Sequence, residues 1–540
     1  MKKIIFLIIL SAGTAVVKAQ SIEQGKQQLY YERYESAKNT FHNILMQDPG
    51  NPGAWFELTR TYLLQNDISR AFDSIQLAPT SVKTDPYYKV AYGSILLHQN
   101  KKEDAARYFS EALAETREKN AGILAAIAET HINSNNGNGN YAVKLLNKAI
   151  KRDKKNPVLY VLLGDAHRKL LNGTEAYKAY QNAIEHNNKY AIAYHRIGEI
   201  FITQKNPGLY VDYFKKALTA DPYFAPSLYK LYVYELYHDP AKAMDYYKDY
   251  LTKSDPSFQN EYDMADLLYL NKHNEQAIQK AKAIISIQGE KVQPRLFKLI
   301  GYSLAAINDT AQAINYMQKY FVHEADSNLI LKDYISMAEF YSTMPDQDSL
   351  AAEYYSKAIG LEKDSTAVYD YYKRLADIAQ KRKDYVAQAA WLGKYYIGND
   401  NVNNLDLFNW GLALYRAEDF VMADSIFGMY SSKYPEQSFG YYWQAKSKAL
   451  QDEEMKEGLA VPTYKKLIEI LQKDSTDANY KKWIVESYGY LAAYEVNTLK
   501  DYAEAVHYFE KILELDPENE SAKKYITILE KDLATQNSKR

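Results

Sequence analysis

The sequence predicts an all-α fold: a right-handed α-solenoid of roughly 13 or 14 stacked helix–turn–helix units with a capping helix at its C-terminal end. Three observations predict it. A small residue recurs with a nearly constant period, Asp-Pro breaks separate the periods, and an apolar stripe at helical spacing ends the chain. A single compact core would not impose such a ladder, whereas stacked units must keep a common register.

The recurring small residue marks one position in each period. It stands at Ala37, Ala71, Ala105, Ala142, Ala176, Tyr210, Ala243 and Ala277, nearly evenly spaced and with one longer step before Ala142. The steps then widen slightly, at Ala313, Ala351, Ala387 and Ala423. Loops absorb insertions at low cost, so we expect the same units with longer turns. The sequence therefore predicts one array over 20–290, a second over 291–517, and a capping helix and tail over 518–540.

Two consecutive periods match residue by residue. Tyr160, Leu163, Gly164, Ala176, Tyr180 and Ala183 recur one period later as Tyr194, Ile197, Gly198, Tyr210, Phe214 and Ala217. Small residues let two helices approach where their axes cross, and a proline ends a period because it cannot continue a helix. This pattern resembles the tetratricopeptide repeat over nearly the whole mature chain. The resemblance implies a protein that binds an extended polypeptide along a concave face.

The family's concave positions belong to the first helix of each unit. Carried onto this sequence, the resemblance implies these partner-binding residues: Phe56, Arg60, Val161, Asp165, Arg168, Lys169, His195, Glu199, Tyr229, Val233, Lys298 and Tyr302. The set combines aromatic side chains with both signs of charge, which suits a polypeptide. The Lys/Asn/Arg set with which some members clamp a terminal carboxylate is absent from these positions. A solvated helix face is the alternative interpretation of each residue.

Tyrosine is unusually abundant, with 52 Tyr against 17 Phe and 5 Trp. One interpretation is packing, since a buried tyrosine ring can keep its hydroxyl in contact with water. The other is a tyrosine-lined groove, because tyrosine is a rigid amphipathic anchor at binding surfaces. Such rings also stack on sugars. The alternative function is therefore a glycan- or polysaccharide-binding protein with an aromatic groove.

Motifs for catalysis, metals and cofactors are missing from the sequence. The ten histidines are scattered, there is no cysteine, and no phosphate-binding glycine loop or nucleophile motif occurs. A formal net charge of −2 gives no bulk attraction to nucleic acid. We therefore expect no catalytic residues, no metal and no cofactor, and predict that the protein is not an enzyme.

The N-terminal segment 1–19 has the pattern of a secretory signal peptide. Lys2 and Lys3 precede the apolar run 4–10, and Ala19 offers a small residue at the cleavage point. The style of the signal suggests a bacterium. Without a cysteine the precursor cannot be acylated at its processing site, and no other stretch is apolar enough to cross a bilayer. We expect a periplasmic protein, or one that is secreted or associated with the outer membrane.

A third pattern is Asp followed by Ser or Thr and a small or apolar residue. It resembles the acceptor motif of an O-glycosylation system that acts on exported proteins of some Gram-negative bacteria. The candidates in predicted turns are Thr310, Ser349, Ser365 and Ser475. Helix capping is the other interpretation, because Asp, Ser and Thr favour helix starts.

Together these features predict a non-catalytic scaffold of the bacterial envelope. It would bind a protein or peptide partner in its concave groove during assembly or maintenance of an envelope complex. The role in an envelope complex is inferred by analogy with other proteins of this fold.

Overall fold

The computed structural model describes residues 21–473 and 479–537, and this part of the chain forms 29 α-helices and no strand. The bounds are α1 Ile22–Tyr30, α2 Tyr34–Gln47, α3 Pro52–Leu64, α4 Ile68–Gln76, α5 Pro86–His98, α6 Lys102–Glu115, α7 Ala121–Asn133, α8 Gly139–Arg152, α9 Pro157–Lys169, α10 Gly173–His186, α11 Ala191–Thr203, α12 Pro207–Ala220, α13 Ala225–Glu235, α14 Pro240–Lys253, α15 Phe258–Leu270, α16 Asn274–Gln288, α17 Arg295–Ala306, α18 Thr310–His323, α19 Leu331–Ser342, α20 Asp348–Leu361, α21 Ser365–Lys381, α22 Tyr385–Gly398, α23 Asn404–Arg416, α24 Phe420–Lys433, α25 Ser438–Gln451, α26 Val461–Lys473, α27 Tyr480–Tyr494, α28 Tyr502–Leu515 and α29 Glu520–Asn537.

Consecutive helices pack as helix–turn–helix hairpins, from α1–α2 to α27–α28, and within α1–α16 and within α17–α29 each hairpin contacts the next. The prediction of an all-α solenoid is confirmed.

The hairpin α9–α10 shows how the sequence starts each helix and turns the chain between them. Asn156 caps α9 by accepting a hydrogen bond from the backbone N–H of Val158, and Leu171 reverses the chain with φ 59°. Asn172 then caps α10 by accepting from the backbone N–H of Glu175.

The helices of a hairpin approach closely because a small residue faces an aromatic ring. A Cβ on Gly164 would lie 2.2 Å from the ring of Tyr180, and one on Gly198 would lie 2.7 Å from Phe214. The ladder alanines are buried for the same reason, and Ala176 is 0% exposed. These contacts repeat from hairpin to hairpin and form the core.

The hairpin α21–α22 departs from the ladder. In neighbouring hairpins the small residue follows the N-cap of the second helix by four positions, as Ala313 follows Asp309. The N-cap of α22 is Asp384, so the equivalent residue is Gln388 rather than the expected Ala387. Gln388 is 7% exposed, and its Oε1 atom has no hydrogen-bond partner. A larger polar side chain therefore stands where the repeat places alanine.

The chain divides into two compact arrays between Val292 and Gln293. The N-terminal array comprises α1–α16, and the C-terminal array comprises α17–α29. Within the C-terminal array α29 packs on α28 and buries Ala522 and Leu529. This helix covers the last hairpin, as a capping helix does.

Candidate interaction surfaces

The predicted concave residues of α3 are held by neighbouring helices. Arg60 donates from Nε and Nη2 to the two carboxylate oxygens of Glu129 on α7, each at 2.7 Å. Its Nη1 atom donates to Glu57 at 3.1 Å. Phe56 is buried, and its ring centroid lies 5.4 Å from that of Tyr87. Arg60 therefore links α3 to α7, and Phe56 links α3 to α5.

A second ionic network joins α9, α10 and α11. Arg168 and Arg196 both donate to Oε2 of Glu199, at 2.7 Å and 2.8 Å. Tyr180 donates to Asp165 at 2.6 Å, and Nε of Arg196 lies 3.4 Å from the same carboxylate oxygen. Burial raises the pKa of Asp165 against the opposing effect of the Arg196 charge. The predicted binding residues Arg168 and Glu199 thus bind each other, and Arg196 links them to Asp165.

His195 lies inside the helix packing. It is 2% exposed, with Nδ1 2.9 Å from the hydroxyl of Ser227 and Nε2 3.7 Å from Glu199. Burial lowers the pKa of His195, although the contact with Glu199 opposes the shift. For Glu199 burial favours the neutral form, but the hydrogen bond with His195 and the charge of Arg196 lower its pKa overall. His195 is therefore a ring between helices rather than a surface residue.

Val161 and Lys169 also take structural places on α9. Val161 is 4% exposed. The Lys169 ammonium donates to the backbone carbonyls of Ile132 and Ser134, at 2.9 Å and 2.8 Å. Lys169 thereby satisfies carbonyl groups at the C-terminal end of α7.

The last two predicted residues of the N-terminal array differ in exposure. Tyr229 packs edge-on against Tyr232 and in a tilted contact with Tyr250, with ring centroids 5.4 Å and 5.3 Å away. Val233 is 48% exposed. Val233 is thus the most open of these predicted positions on α13.

In the C-terminal array Lys298 and Tyr302 meet at one buried carboxylate. Lys298 Nζ lies 2.6 Å from Oδ1 of Asp333, and the Tyr302 hydroxyl donates to the same oxygen at 2.8 Å. The hydroxyl of Tyr320 lies 3.4 Å from Oδ2, which also accepts from the backbone N–H of Ile330. Asp333 is 0% exposed, so this cluster joins the hairpins α17–α18 and α19–α20.

The candidate glycosylation residues lie at helix starts. Thr310 and Ser365 are the first residues of α18 and α21, and Ser349 is the second residue of α20. Ser349 and Ser365 are exposed, and Thr310 is half-buried. The preceding Asp309 and Asp364 act as N-caps. Ser475 and the predicted signal peptide lie outside the described residues, and modification stays a prediction.

Several tyrosine hydroxyls bind groups on neighbouring helices. Tyr247 of α14 donates to the backbone carbonyl of Asn260 and to Asp263, at 3.1 Å and 3.3 Å. Tyr442 of α25 donates to Glu486 at 3.0 Å. Phenylalanine at these positions would remove the hydrogen bonds between the helices. The packing interpretation therefore applies to Tyr247 and Tyr442.

A polar cleft of about 530 Å³ opens in the N-terminal array. Residues of the α1–α2 turn form one wall, including Tyr31, Glu32 and Tyr34, and Tyr229 and Tyr250 lie on another. His195 and Glu199 line it as well. The cleft brings together segments that are far apart in sequence, which the repeat pattern did not indicate.

A larger groove of about 1000 Å³, mostly apolar, lies in the C-terminal array among α21, α22, α23 and the start of α24. Tyr369, Tyr372 and Trp410 line it together with Val386, Ile397 and Met422. The exposed fractions of Val386 and Ile397 are 69% and 77%. We call this surface the apolar groove. None of the predicted concave residues lines it, because they were chosen by concave position alone.

Within residues 21–473 and 479–537, no helix is both long and apolar enough to span a bilayer. The same residues contain no group of three or more His, Cys, Asp or Glu side chains arranged to hold a metal ion.

Models of the tetratricopeptide repeat match residues 28–94, 191–224 and 490–519. These matches fall on hairpins of the fold described above. The chain contains tetratricopeptide repeats at these positions. No protein of curated function shows significant sequence similarity to it.

Solved structures of other proteins are similar to parts of this chain. The C-terminal part of a repeat protein from Cytophaga hutchinsonii is 24% identical, covers 49% of this chain and 99% of its own, and has a TM-score of 0.30. The human IFIT1 dimer with PPP-AAAA is 15% identical over 56% and 72% of the chains, with a TM-score of 0.33. Pseudomonas aeruginosa pilF is 16% identical over 37% and 90%, with a TM-score of 0.24. With TM-scores below 0.5, the assignment depends on the repeat models and the hairpin packing.

The repeat family also explains what sequence reasoning missed. Concave positions of a tetratricopeptide repeat protein follow from the period, but the residue that each one meets depends on the curvature of the stack. One irregularity of the sequence lies on α22, a helix that borders the apolar groove. Four positions after the N-cap Asp384, the sequence has Gln388 instead of a small residue, and Tyr395 stands seven further on, where Ala183 stands in α10.

Proposed function

We propose that this protein is an exported, non-catalytic scaffold that binds a polypeptide partner in the bacterial envelope. Tetratricopeptide repeats support a role in protein interaction. We choose the apolar groove as the binding surface because the charged concave residues of α3, α9 and α11 are already paired with other side chains.

The groove suits apolar anchors of an extended or helical segment. Its volume of about 1000 Å³ accommodates several side chains, and Val386, Ile397 and Met422 are exposed within one surface. Exposed apolar surface of this kind is typical of interaction sites. Burying Val386 and Ile397 against a partner would remove apolar area from water and supply the affinity.

The apolar side chains of the groove support a polypeptide partner. Val386, Ile397 and Met422 suit the apolar anchors of a peptide, whereas Glu362, Lys394 and Asp419 of the same lining carry the donors and acceptors that a glycan would need. Outside the groove, the hydroxyls of Tyr180 and Tyr247 are bound to carboxylates between helices. These rings are therefore part of the packing and are not a stacking platform.

The signal-like residues 1–19 and the absence of cysteine support an unacylated protein of the periplasm or outer membrane. Assembly or maintenance of an envelope complex is the role proposed for the scaffold.

A capture experiment tests the proposal. Residues 20–540 are immobilised and exposed to envelope extract, half of it digested with protease beforehand, and bound material is identified. We expect one protein to be captured, its binding to be lost after digestion, and Val386→Asp with Ile397→Asp to reduce capture by at least about ten-fold, since charges in an apolar contact are costly.

Val322→Asp is the matched control, because Val322 of α18 is 79% exposed and lies outside the groove. Capture that survives digestion would contradict a polypeptide partner and favour a glycan. Equal loss in the Val322 variant would contradict the assignment to the groove.

A further inference from the structure

The floor of the apolar groove is one face of α22, which packs against both α21 and α23. The floor residues recur at the three- and four-residue spacing of a helix face: Val386, Ala389, Ala390, Gly393 and Ile397. The small side chains in the middle of this face leave the space above α22 open. From Val386 to Ile397 the floor is about 16 Å long, which is the length of three helical turns.

Aromatic side chains form the walls of the groove. Tyr369 and Tyr372 of α21 line one wall, and Trp410 of α23 lines the other. The Tyr369 hydroxyl donates to the backbone carbonyl of Gly398 at the end of α22. Trp410 packs on the floor, since a Cβ on Gly393 would lie 3.0 Å from its ring. Contacts within the array therefore hold both walls in place before a partner binds.

The lining offers little to the backbone of an extended chain. Among the lining residues that the structure describes, none is Asn or Gln, and the Tyr369 hydroxyl is already bound to Gly398. A polypeptide buried there must satisfy its own backbone N–H and C=O groups. An α-helix does so, because each N–H bonds to the carbonyl four residues earlier. The groove therefore favours a helix over an extended segment.

The two carboxylates that line the groove already bind backbone groups. Glu362 accepts from the backbone N–H groups of Lys363 and Asp364, at 2.8 Å and 3.0 Å. Asp419 is the N-cap of α24 and accepts from the backbone N–H of Met422 at 3.1 Å. Both carboxylates thus compensate the N-terminal ends of helices.

The two lysines of the lining carry positive charge without such compensation. In the part of the chain that the structure describes, neither the ammonium of Lys363 nor that of Lys394 forms an ion pair. Lys394 instead lies over aromatic rings, 4.4 Å from the Trp391 centroid and 5.9 Å from that of Tyr372. These contacts hold its ammonium beside the groove. A carboxylate on a bound segment would supply the missing partner and orient the segment.

We infer that the apolar groove binds an acidic amphipathic helix of a partner protein. The inference rests on the proposed function, since it presupposes a polypeptide in the groove. The apolar face of the helix, with large side chains at the spacing i, i+3, i+4 and i+7, lies on Val386, Ile397 and Met422. An Asp or Glu beside that face pairs with Lys394, and a second pairs with Lys363.

Selection from a peptide library tests the inference. Random peptides of about 18 residues, or five helical turns, are displayed on phage and depleted on the Val386→Asp with Ile397→Asp variant. They are then selected on unaltered residues 20–540. Both substituted side chains are exposed, so the variant keeps the fold, and the depletion removes peptides that bind elsewhere.

We expect the enriched peptides to have apolar residues at the helical period and more Asp and Glu than Lys and Arg. Groove-dependent peptides that lack this period or this excess would overturn the inference and leave the proposed polypeptide partner in place. Enrichment of no groove-dependent peptide would overturn both.

A charge exchange tests the role of Lys394. We expect Lys394→Glu to weaken binding of an enriched acidic peptide by about five-fold or more, as measured by fluorescence anisotropy. The same peptide with Lys in place of its acidic residues should bind this variant more tightly than it binds the unaltered protein. Lys319→Glu is the matched control, because Lys319 is also exposed and lies over a ring, 4.7 Å from the Tyr316 centroid, but outside the groove. Equal loss in both variants, or no rescue by the exchanged peptide, would overturn the inference.

A second copy of the chain is the competing occupant of the groove. We expect sedimentation of residues 20–540 at rising concentration to show no association through this surface. A dimer that disappears in the Val386→Asp with Ile397→Asp variant would place a second copy in the groove and overturn the inference.

Discussion

At the scale of the residue, the fold depends on small side chains that face aromatic rings. Gly164 leaves room for Tyr180, whose hydroxyl then reaches Asp165. The glycine therefore fixes the helix spacing and also places the ring whose hydroxyl binds the ionic network of α9 and α11. Where Gln388 replaces the small residue, a buried side-chain oxygen has no hydrogen-bond partner.

The Gly164 position provides a direct test of this packing. We expect Gly164→Ala to lower the free energy of unfolding by about 1–3 kcal/mol, because the added Cβ would overlap the Tyr180 ring and force helices apart. Urea denaturation followed by circular dichroism measures the change.

Gly173→Ala is the matched control, since nothing lies within 4 Å of a Cβ there. It should be neutral or stabilising by up to about 1 kcal/mol, as alanine favours helix. A similar loss in both variants would contradict the packing explanation.

Buried histidines predict how stability depends on pH. Burial lowers the pKa of His131 from 6.5 to about 4, and its ring lies 5.1 Å from that of Tyr141. The folded state then binds fewer protons than the unfolded state between these values. The contribution of His131 to the free energy of unfolding is largest above pH 6.5, falls as the pH drops towards 4, and is constant below that.

We expect His131→Gln to remove this contribution, because glutamine keeps an acceptor for the backbone N–H of Asn138 but does not titrate. Urea midpoints measured from pH 8 to pH 4 should fall less steeply in the variant. Burial also lowers the pKa values of His98 and His195, so part of the slope should remain. Parallel curves would contradict the assignment.

At the scale of the element, aspartate at helix starts has a structural role that competes with the glycosylation hypothesis. Asp309 accepts from the backbone N–H of Gln312 at the start of α18, and Asp364 does so for Thr366 in α21. The motif residues Thr310 and Ser365 follow directly. Capping alone therefore accounts for the aspartates, and substitution separates the two interpretations.

We expect Asp309→Ala to lower the free energy of unfolding by about 1 kcal/mol through loss of the cap, and Asp309→Asn to cost only a few tenths. Thr310→Ala should leave stability nearly unchanged. Intact-mass measurement of protein exported from its own host tests modification. A glycan mass that disappears in both the Asp309→Asn and Thr310→Ala variants would show that the motif is also an acceptor.

At the scale of the molecule, each array is built by adding hairpins, and its end must be covered. Helix α29 covers the C-terminal array, with Leu529 4% exposed and the adjacent Ile528 44% exposed. The exposed end of a repeat array would otherwise present an apolar face to water.

We expect Leu529→Asp to lower the free energy of unfolding by about 2–4 kcal/mol and to promote aggregation, because a charge replaces a buried side chain. Ile528→Asp is the matched control and should change it by less than about 0.5 kcal/mol. Denaturation and light scattering check both. Equal effects would contradict the role of α29 as a cap.

The sequence by itself determined the hairpins and their order, and limited their number to roughly 13 or 14. The information is local: an N-cap such as Asn172, a small residue four positions later at Ala176, and an aromatic ring at Tyr180 define one hairpin without reference to the rest. Repetition then makes each hairpin stack on the next, because its apolar face has no other partner.

Only the tertiary structure decided which concave residues meet and which surfaces remain open. Arg60 binds Glu129, His195 is buried, and Asp255 caps α2, since small rotations between hairpins add up over several units. The repeat period does not specify that sum. The apolar groove likewise depends on how α21, α22, α23 and the start of α24 pack together, which the repeat period does not specify.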